Sequence, residues 1–261
     1  IVGLIQIKTP PDSGEGEPEL NGANAVSDFT DQRDFDVRIL LFRLCCVTHT
    51  ARSFLLLRDA YNFWQNSMDD EKILYPEADF LLDLHGGDWN EELAPLVFFP
   101  CGAGRKVEQE TRRAAQALSV SMRVCSTARN GLYSWAAQKE IPALLLERGG
   151  NGRWTPEEVE ADCEDVLRLM NHLGIIKEDF NVIRQTEISK AVYEEAPADG
   201  YWFPQVCAGQ EVLKDELLGR WKSSDGTQNY EVRGRFAGRV LYETTALGVR
   251  RNDPLVAYGT A

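Results

Sequence analysis

The sequence predicts an α/β protein: a mostly parallel or mixed sheet flanked by helices, followed by a small all-β domain. Three observations predict it. Between residues 76 and 187, apolar runs of strand length alternate with segments of helical periodicity. Two of those runs end in an ionisable residue and two glycines, at Asp83-Leu84-His85-Gly86-Gly87 and at Glu147-Arg148-Gly149-Gly150. The carboxyl end of a strand is where such sheets place ligand sites. After about Ile188 no helical period persists, and short β-type runs alternate with glycine-containing turns. The chain therefore divides into an α/β domain over residues 1–187, atypical in its first third, and an all-β domain over 188–261.

Residues 1–7 read as a short strand, and 9–30, rich in Pro, Gly, Asp, Glu and Asn, as a long loop. Residues 37–47 are apolar but carry arginines without a clean period. Residues 53–68 read as a helix with Phe54, Leu57, Tyr61 and Trp64 on one face. From Pro76 onward the pattern sharpens. Residues 78–85 form a strand, 95–99 a second, 107–118 a helix, 120–125 a strand and 132–139 a short helix. Residues 142–147 are apolar on both faces, as suits a central strand covered by helices. Thr155-Pro156-Glu157-Glu158 supplies a capping hydroxyl, a first-turn proline and a Glu three residues after the cap. The helix that follows has Val159, Cys163, Val166, Met170 and Leu173 as its apolar stripe, and Gly174 ends it. In the tail, Ala208-Gly209-Gln210-Glu211-Val212 with Glu216-Leu217-Leu218-Gly219 matches Leu247-Gly248-Val249 with Asp253-Pro254-Leu255-Val256 in pattern. That self-similarity predicts two repeated hairpins.

Composition bounds the partners. A net charge of -13 argues against nucleic acid and anionic membranes, both of which need a basic surface. No apolar run approaches the length of a membrane span; the richest, residues 37–57, is broken by Arg38, Arg43, His49 and Arg52. Residues 1–7 are too short, and lack the basic flank, for a signal peptide, and the start on Ile is that of a fragment. The six cysteines (45, 46, 101, 125, 163 and 207) contain no Cys-x-x-Cys pair and read as reduced core residues of a cytoplasmic protein. Trp202, Phe203 and Trp221 read as core residues or as aromatics of a homo-oligomer interface.

The chemistry sits at the two strand ends. Asp83 and His85 stand two apart, so on a strand they share a face. Glu147 follows three leucines, and desolvation there raises a carboxyl pKa toward neutrality while a nearby cation opposes the rise. His85 is then a candidate metal ligand, Asp83 its supporting partner and Glu147 a general base. Arg148 is a candidate for binding a substrate carboxylate, or for pairing with Glu147 or another acid. Asp88, Asn90 and Glu91 could line the pocket, and no spacing decides it. His172, near the end of its helix, reads as solvent-facing.

Asp83-Leu84-His85-Gly86-Gly87, then Ile141-Pro142-Ala143-Leu144-Leu145-Leu146-Glu147-Arg148-Gly149-Gly150, then a β-rich tail, together resemble the succinylglutamate desuccinylase/aspartoacylase family of zinc carboxypeptidase-like hydrolases. The resemblance covers roughly residues 70–261. It implies a zinc carboxypeptidase-like fold with a barrel-sandwich-like tail, one Zn2+ ion with His85 as third ligand, Glu147 as the catalytic Glu, and a small N-acyl amino acid-like substrate. The family's first two zinc ligands come from an early His-x-x-Glu motif, which this sequence lacks. His49 is followed three residues later by Arg52, and Gly14-Glu15-Gly16-Glu17-Pro18 contains no His. Two functions follow as expectations: a zinc-dependent amidohydrolase, or a relative that lost its metal and acts as a binding or scaffold protein.

Overall fold

A computed structural model describes the backbone of Gly3–Ile7, then Tyr75 and residues 78–261. The expected loop over 9–30, the helix over 53–68 and His49 lie outside the described residues. The first part contributes strands β1 (Gly3–Ile7), β2 (Phe80–His85), β3 (Glu91–Leu93), β4 (Leu96–Pro100), β5 (Met122–Ser126), β6 (Ala143–Glu147) and β7 (Thr186–Ile188). Its helices are α1 (Arg105–Ala117), α2 (Leu132–Gln138) and α3 (Pro156–His172). The short strands β3 and β7 are the elements here that the sequence pattern did not indicate.

Six of these strands form one sheet in the order β1-β2-β6-β4-β5-β7. The pairs β2–β6, β4–β5 and β5–β7 are parallel, while β1–β2 and β4–β6 are antiparallel. The sheet is therefore mixed, and β6 lies near its middle as its apolar faces require. Alternation along the strands decides what each face meets. Phe80, Leu82 and Leu84 of β2, Leu144 and Leu146 of β6, and Val97 and Phe99 of β4 pack with α1 and α3 in one core. Leu81 and Ala143 point the other way and pack with Leu132, Tyr133 and Ala136 of α2.

Helix α3 starts with the expected capping box: Glu158 N–H donates to Thr155 Oγ1 and Thr155 N–H donates to Glu158 Oε2. Its buried stripe, however, is Asp162, Asp165, Val166, Leu169 and Met170, rotated from the expected one; Cys163 is exposed. Two carboxylates on the core side are tolerated because Arg148 meets both, as described below. His172 is exposed in the last turn of α3, as expected.

The tail adds β8 (Lys190–Glu195), β9 (Gly200–Pro204), β10 (Glu211–Val212), β11 (Leu217–Ser223), β12 (Asn229–Arg233), β13 (Gly238–Thr244), β14 (Gly248–Val249) and β15 (Pro254–Thr260). One sheet runs β10-β13-β15-β8 and the other β12-β11-β9-β14. Moving four strands along the chain converts the first order into the second, so the two sheets share one topology. The two look-alike segments occupy equivalent places but are not hairpins. Each leaves one sheet by a two-residue strand, β10 or β14, and enters the other by a seven-residue strand, β11 or β15. The turn between them passes through a left-handed residue, Asp215 (φ 65°) or Asn252 (φ 68°), which redirects the chain. The acidic residue in each turn is a clamp: Glu216 accepts from Leu213 N–H at 2.7 Å, and Asp253 accepts from Arg250 N–H at 2.7 Å.

Trp202 and Trp221 face each other across β9 and β11 inside the core between these sheets, whereas Phe203 is exposed. A Cβ at Gly219 would sit 2.2 Å from the Trp202 ring, so only glycine leaves space for that indole.

Cys101 and Cys125 form a disulfide, and Cys163 and Cys207 are exposed, which corrects the reading of the cysteines as reduced core residues. The parallel register places Pro100 beside Ser126, and Cys101 N–H donates to Ser126 O at 2.7 Å, so the two cysteines are neighbours across the strand pair. The cytoplasmic expectation rested on reduced cysteines, and that ground is removed. Among the described residues no helix is long and apolar enough to cross a membrane.

Candidate functional site

Strands β2 and β6 run parallel in a register that sets His85 directly opposite Glu147. By alternation Asp83, His85 and Glu147 all point away from the α1/α3 core, on the face shared with α2. The glycine pairs beyond them draw the two loops together. Arg148 N–H donates to His85 O at 3.0 Å, and Gly87 N–H donates to Gly149 O at 3.1 Å. A Cβ on either Gly87 or Gly150 would lie 2.7 Å from Glu91 O. The Glu91 carbonyl is thus wedged between the two turns, and only glycine admits it.

Asp83 is buried, and its Oδ1 lies 3.1 Å from His85 Nε2. Burial by itself lowers the His85 pKa, but the hydrogen bond and charge of Asp83, with the charge of Glu147, outweigh it and leave the pKa raised. Glu147 is pushed up to about 7 by burial; the His85 charge opposes this, while Glu91, Asp83 and Asp88 add to it. Burial raising this carboxyl against the charge of His85 is the balance of effects expected from its position after three leucines.

Glu91 is the residue that sequence reasoning left undecided. Burial and the charge of Asp88 push it up to about 7 as well, against a backbone hydrogen bond from Asp88. Tyr133 and Tyr242 also act electrostatically with Glu147. The Tyr133 hydroxyl is hydrogen-bonded to Ser126 Oγ at 2.7 Å, and burial pushes its pKa up to about 12. Tyr242 comes from β13, and Tyr193 of β8 packs near it with ring centroids 6.3 Å apart. The tail therefore contributes to the electrostatic surroundings of Glu91 and Glu147. No local signal marks these tyrosines, because only the docking of the β sheets brings them there.

Arg148 does not face the site. It is one residue past Glu147 and so points to the opposite side of the sheet. Its Nε lies 2.8 Å from Asp162 Oδ1 and its Nη2 2.5 Å from Asp165 Oδ2, and all three residues are buried. Asp165 also accepts from Ser119 N–H. Burial raises the Asp162 pKa to about 6 against the pull of Arg148. A guanidinium engaged in this way is not available to a substrate carboxylate, which corrects that expectation.

Zinc is the group the resemblance implies. A catalytic zinc centre takes three protein ligands. Among the described residues no three His, Cys, Asp or Glu side chains gather to hold a metal ion, and His85 is the only imidazole at the site. The described residues by themselves do not fit a zinc centre.

No family model and no curated protein matches the chain. Solved structures do match. The product-bound ectoine utilization protein EutE (DoeB) of Ruegeria pomeroyi aligns with a TM-score of 0.65 at 20% identity, over 74% of this chain and 61% of its own. A succinylglutamate desuccinylase/aspartoacylase of Rhodobacter sphaeroides aligns with a TM-score of 0.63 at 23% identity, over 73% of this chain and 61% of its own. An aspartoacylase family protein of Mesorhizobium loti aligns with a TM-score of 0.58 at 17% identity, over 74% of this chain and 60% of its own. The chain thus spans about three-fifths of the length of the structures it matches. Its fold is that of the succinylglutamate desuccinylase/aspartoacylase structures.

Proposed function

We propose that this chain is a deacylase-type hydrolase that cleaves the amide of an N-acyl amino acid or a similar small molecule, with Glu147 as general base. The observation that carries this reading is Glu147 itself: a half-buried carboxyl with its pKa pushed up to about 7, held opposite His85 at the end of a central strand. A base is most effective when its pKa lies near the working pH, because it is then both ionised and basic. Glu147 takes the proton of the attacking water and returns it to the leaving amine. His85, oriented by Asp83, lies beside the developing charge. Were a zinc ion bound, His85 would be one of its ligands and the ion would supply Lewis-acid polarisation of the amide carbonyl.

The test is turnover of a panel of N-acyl amino acids by the purified protein, with zinc content measured alongside. The expected result is near-stoichiometric zinc after supplementation, measurable hydrolysis, and a loss of roughly 100-fold or more in kcat for Glu147→Gln with the fold retained. Unchanged kcat in that variant removes Glu147 from the mechanism. A protein with neither zinc nor turnover is the non-catalytic binding protein instead.

A further inference from the structure

Three chain segments meet beside the site in a hydrogen-bonded ring that the proton chemistry does not use. Asn151 follows the second glycine pair and sits in the left-handed region at φ 55°. Its N–H donates to Glu91 O at 2.7 Å, the same carbonyl that is wedged between Gly87 and Gly150. Its Oδ1 accepts from Thr245 Oγ1 at 2.6 Å. Thr245 N–H donates to Asn90 O at 2.8 Å. Thr245 immediately follows β13, and β13 pairs with β3, so Glu91, Glu92 and Leu93 lie opposite Thr244, Glu243 and Tyr242.

One residue of the tail therefore holds both loops, the one that leaves His85 and the one that leaves Glu147. The left-handed backbone at Asn151 is what points its N–H at Glu91 and its side chain at Thr245; Asn is among the few non-glycine residues that adopt this region readily. We propose that Asn151 and Thr245 are positioning residues, through which the C-terminal β sandwich holds the His85 and Glu147 strand ends at a fixed separation. They touch no reacting atom. They act by holding Glu91 O between the two glycine turns, and a loosened wedge lets the two loops move apart.

The proposal rests on the hydrolase reading for its kinetic part only, so the test has two readouts. Thr245→Val removes the hydroxyl and keeps the shape. Asn151→Gly keeps the left-handed backbone and removes the side-chain acceptor. Amide hydrogen exchange on the full chain is expected to quicken in both segments together, residues 86–91 and 148–151, with the rest of the protein unchanged. In the active protein kcat is expected to fall about 10-fold with KM within about twofold, since a misplaced group loses rate before it loses binding, and Thr245→Ser is expected to restore both readouts. Exchange that rises uniformly with a drop in melting temperature, or that stays unchanged in both segments, overturns the proposal, as does unaltered kcat in a folded Thr245→Val. Paired quickening in a protein with no turnover upholds the ring and overturns the hydrolase reading.

Discussion

At the scale of single residues, the raised pKa of Glu147 has a cost in stability. Its folded pKa of about 7 stands above the ordinary 4.5, so the folded state holds the proton more tightly than the unfolded state does. Stability from this group is fully present below about pH 4.5 and is lost as pH rises to 7. At about 1.4 kcal/mol per pKa unit the loss is at most about 3–4 kcal/mol. Glu147→Gln removes the ionisation and is expected to be more stable than the parent by about that amount at pH 8, with the difference gone at pH 4. Urea titrations at the two pH values in chelating buffer measure it, and equal stability at pH 8 would show that the carboxyl is solvated. The sequence already marked Asp83, His85 and Glu147, because the two-residue period of a strand fixes which side chains share a face. Glu91 was not legible, since its place follows from a three-residue strand paired with β13, about 150 positions away.

At the scale of elements, Arg148 anchors β6 to α3. The helix signals in the sequence were sound: the capping box and the start of α3 came from local rules. The buried face of α3 did not, because hydropathy assigns Asp162 and Asp165 to solvent. A cation from another strand reverses that assignment by pairing with both. Arg148→Ala leaves two buried carboxylates uncompensated and is expected to cost roughly 3–5 kcal/mol. Denaturant midpoints report it, and KM for substrate is expected to stay unchanged in whatever fraction remains folded. A raised KM with an unaltered midpoint would return Arg148 to the substrate. The tail shows the same division. Its repeated pattern of turn, valine, acidic turn and apolar strand was visible in sequence, but the pattern is equally compatible with a hairpin and with a crossing between sheets. Pairing partners far along the chain chose the crossing.

At the scale of the whole molecule, the change of character near residue 188 coincides with a change of sheet, since β7 belongs to the mixed sheet and β8 to an antiparallel sheet of the tail. The two parts nevertheless share a core. Ala94, Leu96, Met122, Val124 and Ile188 pack with Leu241 and Ala257 of the tail, and β3 is a strand of the tail's sheet. A chain ended after Ile188 would expose that apolar layer and leave β3 unpaired. It is expected to aggregate or to bind an apolar dye strongly, while a soluble, cooperatively melting fragment would show the two parts to be independent. The sequence by itself determined the main strands and helices between residues 78 and 173, the capping box of α3, and which ionisable side chains stand together at the ends of β2 and β6. Periodicity reports the direction of a side chain relative to its own backbone, and those features need nothing more. Only the tertiary structure decided that Glu147 is desolvated, that Arg148 is engaged behind the sheet, that Cys101 and Cys125 are bonded, and that the tail reaches the site through Tyr242 and Thr245. Each of those depends on what a distant segment brings into contact, and no local pattern carries that information.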